Sequence, residues 1–209
     1  MRILGTLAFG LVALLGSPAH ADLPVVQEAH AAWAGCDYAI RVEQDVDPIP
    51  YPQPLYRISV RSTVVSADTC TLEPRTVALG TSKLEPKIAI AVNAQGLAAA
   101  YSGGEYVRPM GNNVLTYLYR LDPGTLGSLR LERLAANRSG GPGTAGGPGT
   151  AYVTSLILHP DAVEVSGSRY GELVTAYPSG TYAFGSGSYF TAVYPDFFGP
   201  VQKPWLYIY

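Results

Sequence analysis

Proline and glycine are spread so densely through this chain that almost no helix can be drawn across it. Seventeen Pro and 23 Gly fall within 209 residues, and each one inside a helix costs about 3 or about 1 kcal/mol relative to Ala. Between these breaks the apolar residues recur with a period of two. Tyr38, Ile40 and Val42 alternate with Asp37, Arg41 and Glu43, and Tyr56, Ile58 and Val60 alternate with Arg57, Ser59 and Arg61. That period marks a strand with one buried face. Shorter runs of the same kind cover 87–92, 97–101, 114–121, 129–134, 152–158, 163–165, 173–177, 182–184, 189–194 and 205–209. Turn residues such as Asn93-Ala94-Gln95-Gly96 and Asp122-Pro123-Gly124 separate them. Fifteen Tyr suit a pleated, half-buried surface. The pattern predicts an all-β, antiparallel β-sandwich in a single domain, with a small β-barrel as the alternative closure.

One segment reads differently. Val26, Ala29 and Trp33 share a helical face, Pro24 suits a first turn, and Gly35 can end the element. The spacing therefore predicts a short N-terminal helix over 24–34. Residues 47–54 place Pro at every second position from Pro48 to Pro54, which predicts an extended connector without ladder hydrogen bonds. Residues 137–150 carry a tandem Gly-Gly-Pro-Gly-Thr-Ala repeat and predict a flexible loop, because such a stretch buries too little apolar area to offset its ordering entropy.

The chain starts with Met1-Arg2, runs apolar from Ile3 to Leu15, and then reads Ala19-His20-Ala21. A charged start, a short apolar run and small residues at alternate positions form a secretory signal peptide over 1–21. The mature part is then 22–209, and the expected location is exported: periplasmic, cell-envelope or extracellular. Both cysteines, Cys36 and Cys70, lie in that part. Export to an oxidising compartment and an even count predict a disulfide between them rather than two buried thiols.

Charge excludes some partners. The net charge is −2, with charged residues at only 14%, so no basic surface is available for nucleic acid. The motifs of common chemistries are missing or unsupported. Gly141 to Gly146 fits GxGxxG in letters, but the tandem repeat offers no strand-to-helix junction for a pyrophosphate. Glu43, Asp45 and Asp47 could offer oxygen ligands to calcium, yet the sequence lacks a dense carboxylate loop and they read as a solvated strand end. His159 with Asp161 is the single local hint of acid–base chemistry, and it reads instead as a turn with a solvated imidazole. The expectation is no catalytic residue, no metal and no cofactor. An unrecognised hydrolase remains the alternative, with His159 as its test.

Aromatic residues carry the strongest interaction signal. They crowd the last third of the chain, beside small residues that leave rings accessible. Tyr170, Tyr177, Tyr182, Tyr189 and Tyr194 are the expected binding residues, as rings that stack on a glycan or anchor a protein interface. The competing reading is ordinary packing of aromatics across strands. At the end of the chain Trp205, Tyr207 and Tyr209 alternate with Leu206 and Ile208. This strand resembles the terminal strand of outer-membrane β-barrels, and also the C-terminal strand of exported pilus-type subunits. The first resemblance implies a small outer-membrane barrel, with membrane contact, as the alternative function. Sixteen prolines beyond the signal peptide argue against continuous closed strands. The leading expectation is a non-catalytic envelope module that binds protein or glycan through aromatic surface.

Overall fold

The computed structural model describes residues 23–47, 53–138, 146–175, 180–182, 188–200, 202 and 204–209. The segment expected to be a signal peptide, the middle of the proline connector, the first half of the glycine repeat, and Tyr177 lie outside the described residues.

Among the described residues every regular element is a strand. In chain order these are β1 (Val25–Trp33), β2 (Cys36–Asp47), β3 (Gln53–Val64), β4 (Arg75–Ser82), β5 (Lys87–Asn93), β6 (Gly96–Val107), β7 (Gly111–Leu121) and β8 (Ser128–Arg138). There follow β9 (Gly147–Pro148), β10 (Thr150–Leu158), β11 (Ala162–Tyr170), β12 (Glu172–Thr175), β13 (Gly180–Tyr182), β14 (Tyr189–Pro195) and β15 (Trp205–Ile208). The first four form one sheet, and the other eleven form a second sheet with main path β13-β12-β8-β7-β10-β11-β14-β15 and β5, β6 and β9 attached to it. Among the described residues the pairings are antiparallel except a contact of β7 with β10, at Thr150 and Val114. Each sheet ends on strands with one neighbour, so the two sheets form an open sandwich and do not close into a barrel.

The expected N-terminal helix is instead strand β1. Ala34 and Gly35 both have positive φ, 49° and 74°, which is the backbone of a two-residue hairpin turn. Trp33 pairs with Cys36 and the ladder continues back to Val25 and Glu43. The glycine that could have ended a helix turns a hairpin. The same residues that gave a helical stripe also alternate: Ala29 packs on the core while Glu28 and His30 point outward. Pairing with residues 36–43 of β2 fixes the segment in a ladder that an isolated three-turn helix, marginal on its own, cannot match. The proline connector is likewise shorter than expected, since Asp47 pairs with Gln53 and Val46 with Pro54. The hairpin of β5 and β6 closes with Asn93 opposite Gly96, a two-residue loop where the sequence suggested four. Of the expected loop at 137–150, Asn137 and Arg138 belong to β8 and pair with Pro148 and Gly147.

Two hydrophobic clusters meet at β6. On one side Tyr38, Ile40 and Val42 of β2 and Ile58 and Val60 of β3 pack against Leu97, Ala99 and Tyr101. On the other side Ala98 and Ala100 face Val153, Val163, Val165 and Phe190. The larger sheet therefore bends back so that β10, β11 and β14 cover the far face of β6. Residues 96–103 of this strand are buried throughout, and alanine at three successive positions lets both neighbouring layers approach. The disulfide between Cys36 and Cys70, with S–S 2.00 Å, lies in the first cluster and ties β2 to the segment after β3.

Candidate functional site

The bent-back half of the larger sheet presents its outer face to solvent. Side chains directly opposite in an antiparallel ladder lie on the same face. Ser168 pairs with Tyr152 on one side and Tyr189 on the other. Tyr189 and Tyr209 exchange backbone hydrogen bonds. Tyr152, Ser168, Tyr189 and Tyr209 thus form one row across four strands. Beside it, Ser166 pairs with Thr191 and Thr191 with Tyr207, and beyond that Glu164 pairs with Val193 and Val193 with Trp205. The alternate residues Phe190, Ala192 and Tyr194, with Leu206 and Ile208 against them, fill the core.

The rings of this face are open. Tyr189 is 63% exposed, Tyr209 68%, Trp205 58% and Tyr207 47%. A lane of hydroxyls lies next to them: Ser166 Oγ and Thr191 Oγ1 are 2.8 Å apart, and Thr154 donates to the Ser166 carbonyl at 3.1 Å. At the β10 end the face dips into a groove of about 400 Å³ lined by Leu84, Glu85, Lys87, Tyr152, Thr154 and Ser168. Burial pushes the Tyr152 phenol up from its ordinary pKa, so its hydroxyl stays protonated and can donate. The segment that forms the groove's far wall is held by Ser82, whose Oγ accepts from the backbone N–H groups of Leu84 (3.2 Å) and Gly104 (2.9 Å).

Of the five tyrosines expected to bind, Tyr170 and Tyr189 stand exposed on this face. The Arg138 guanidinium lies 5.7 Å from the Tyr170 ring centroid. Tyr194 is 2% exposed and packs edge-on against Phe197, so it is a core residue and not a binding one; its place on the inward parity of β14 decides this. Tyr182 ends β13, away from the face, and Tyr177 lies outside the described residues. The residues missed by the sequence selection are Tyr152, Trp205, Tyr207 and Tyr209. The alternation of the last three was visible, but it pointed toward a membrane strand.

The acid–base hint at His159 resolves into a different arrangement. Its Nε2 meets Glu164 Oε2 at 3.2 Å, and Ser166 Oγ donates to the other oxygen of the same carboxylate at 3.3 Å. Glu164 therefore stands between the imidazole and the hydroxyl. A nucleophilic serine needs the imidazole itself as its neighbour. Asp45 accepts from Arg57 at 2.7 and 3.1 Å, and no group of three His, Cys, Asp or Glu among the described residues could hold a metal ion.

A second depression, of about 250 Å³, opens between the sheets at Thr81, Lys83, Glu105 and Asn113, against Tyr117. Tyr117 stacks on Tyr101 at 4.9 Å. Burial raises the Tyr101 phenol strongly, and Tyr119 beside it donates to the Leu79 carbonyl at 2.9 Å. These rings brace the two sheets.

Comparison with family models, curated proteins and solved structures finds no match to this chain.

Proposed function

We propose that this chain is an exported, non-catalytic module of the cell envelope that binds a glycan on the outer face of β10, β11, β14 and β15. The observation that carries this reading is the row Tyr152–Ser168–Tyr189–Tyr209 with the hydroxyl lane beside it. Sugar rings have an apolar face of C–H groups and a rim of hydroxyls. Open tyrosine and tryptophan rings take up the first, and Ser and Thr hydroxyls exchange hydrogen bonds with the second. Tyrosine offers such area with little side-chain entropy to lose on binding. The exported location rests on the leader pattern in 1–21.

The test is retention of the purified mature protein on insoluble polysaccharides: cell-wall sacculi, chitin and cellulose. Retention that falls on Tyr189→Ala and Tyr209→Ala, both at exposed positions in the row, supports the reading. Failure to bind any of the three, or equal retention of both variants, overturns it.

One observation favours a protein partner as a second reading. β15 is an end strand whose described residues carry no charged side chain, and edges of that kind accept an added strand. Tyr209 and Tyr189 form a hydrogen-bonded pair, so by alternation the Leu206 N–H faces the free edge. Under this reading Leu206→Pro abolishes binding and Leu206→Ala, which keeps that donor, does not.

A further inference from the structure

We infer that the ligand of this face is an uncharged, extended β-1,4-linked glycan that crosses the strands, from Tyr209 over Tyr189 into the groove at Tyr152. This rests on the glycan-binding reading and adds the linkage, the charge class and the direction.

Spacing carries the direction. Tyr152 and Tyr189 sit on either side of Ser168, two strand spacings apart, or about 10 Å. Consecutive rings of an extended β-1,4 chain are turned by about half a revolution, so every second ring offers the same face, and the disaccharide repeat is of the same order as that separation. Along β15 the aromatic positions recur every two residues, about 7 Å, which matches neither one sugar nor two. The cross-strand row is therefore the one on which such a chain can stay in register. Chains with α-1,4 linkage curve away from a flat row.

Charge carries the class. Lys87 lies 4.0 Å from Glu85, which also accepts from Gln27 at 2.9 Å. Glu164 is hydrogen-bonded to His159 and Ser166. The ammonium and the carboxylate of the groove, Lys87 and Glu85, are adjacent and opposite in sign, so the groove offers an ionic ligand no excess of either charge, whereas Thr154 and Ser168 supply neutral polar groups in the groove itself. The row spans three strand spacings, about 14 Å, and the groove extends it, so the face accommodates about four sugar rings.

The experiment is titration calorimetry of the mature protein with three ladders, from disaccharide to hexasaccharide: cello-oligosaccharides, chito-oligosaccharides and malto-oligosaccharides. Affinity for at least one β-1,4 ladder should rise about tenfold between disaccharide and tetrasaccharide and then level off, with the malto ladder flat. Tyr152→Ala should remove the gain between trisaccharide and tetrasaccharide, and Tyr152→Phe, which keeps the ring, should retain most of it. Binding that is independent of length, or that depends on Trp205 and Tyr207 but not on Tyr152, overturns the crossing direction while the glycan face stands. Equal or tighter binding of the malto ladder overturns the linkage. Absence of binding to every ladder, in a protein still retained on sacculi, overturns the charge class. Absence of both is failure of the glycan reading itself.

Discussion

Tyr189 and Tyr209 exchange both of their backbone hydrogen bonds, the Tyr189 N–H donating to the Tyr209 carbonyl at 3.3 Å and the Tyr209 N–H donating to the Tyr189 carbonyl at 3.1 Å. Their rings consequently rise side by side from the same surface, with Tyr189 63% and Tyr209 68% exposed. Neither ring contributes to the core. Replacing both by Ala should change stability by no more than about 1 kcal/mol, the usual range for exposed positions, while weakening glycan retention by about tenfold or more. Thermal melts alongside affinity electrophoresis would separate the two effects, and a large fall in melting temperature would show that the rings are structural.

Removing the disulfide should cost much more. Cys36 and Cys70 are 34 residues apart in sequence and both are buried. Restoring the freedom of that loop to the unfolded chain destabilises by about 3–4 kcal/mol in the chain-entropy view. Urea unfolding of a Cys36→Ala, Cys70→Ala variant should show this loss, and the wild type in reductant should approach it. An unchanged midpoint would mean that the link constrains nothing the fold does not already hold.

Arg130 and Glu132 form a pair at 2.7 Å with side chains only 6% exposed. Arg130 also donates to the Phe197 carbonyl at 3.2 Å and lies 4.9 Å from the Phe197 ring centroid. Its Nη2 has no hydrogen-bond partner. Taking away the carboxylate leaves a buried cation uncompensated, so Glu132→Ala should destabilise by about 3–5 kcal/mol. The double variant Arg130→Met, Glu132→Leu should recover most of that loss in the same denaturant series. A double variant no better than the single one would contradict the electrostatic explanation.

Gly167 allows β10 to pass close by. A Cβ at this position would overlap the Tyr152 backbone carbonyl oxygen and come within 2.9 Å of the Phe190 ring. Backbone cannot swing aside as a side-chain end can, so Gly167→Ala should cost about 2–3 kcal/mol and displace Tyr152. Loss of groove binding in a variant that still folds is the expected readout.

Two charged contacts should give opposite pH profiles. The hydrogen bond that His30 Nδ1 donates to the Asp37 carboxylate, at 2.9 Å, holds the imidazole above its ordinary pKa of 6.5. Its stabilisation is therefore full below the unfolded pKa and fades as pH rises through the higher folded one. Thr125 and Gly124, donating to the Asp122 carboxylate, hold that group below the ordinary carboxylate range. Its contribution is present at neutral pH and is lost as pH falls through the folded pKa. His30→Ala should thus differ from wild type in acid and converge with it in mild alkali, and Asp122→Ala should do the reverse. Denaturation midpoints across the pH range would check both signs.

Strand positions were largely legible because alternation is a local property. The pattern Tyr38-x-Ile40-x-Val42 states which side of β2 is buried without knowledge of its partner. The first hairpin was not legible, since Val26, Ala29 and Trp33 fit a period of 3.6 while Ala29 and Ala31 fit a period of two, and only pairing with β2 selects between them. The binding residues were half legible. Within β14 the set Phe190, Ala192, Tyr194 is more apolar than Tyr189, Thr191, Val193, so parity alone could have placed Tyr194 inside. Which strands lie beside β14 is set by long-range contacts, and the row through Tyr152 and Tyr209 depends on them. No local pattern encodes that row.

The alanine run of β6 has a mechanical consequence. Ala98 and Ala100 belong to the packing beneath the aromatic face, and Ala99 between them belongs to the packing around the disulfide. One strand is thus a shared wall for both interiors, and neither half can melt while the other stays dry. Chemical reduction on one flank should therefore be felt as loosened rings on the opposite flank, and heating should produce a single calorimetric transition rather than two.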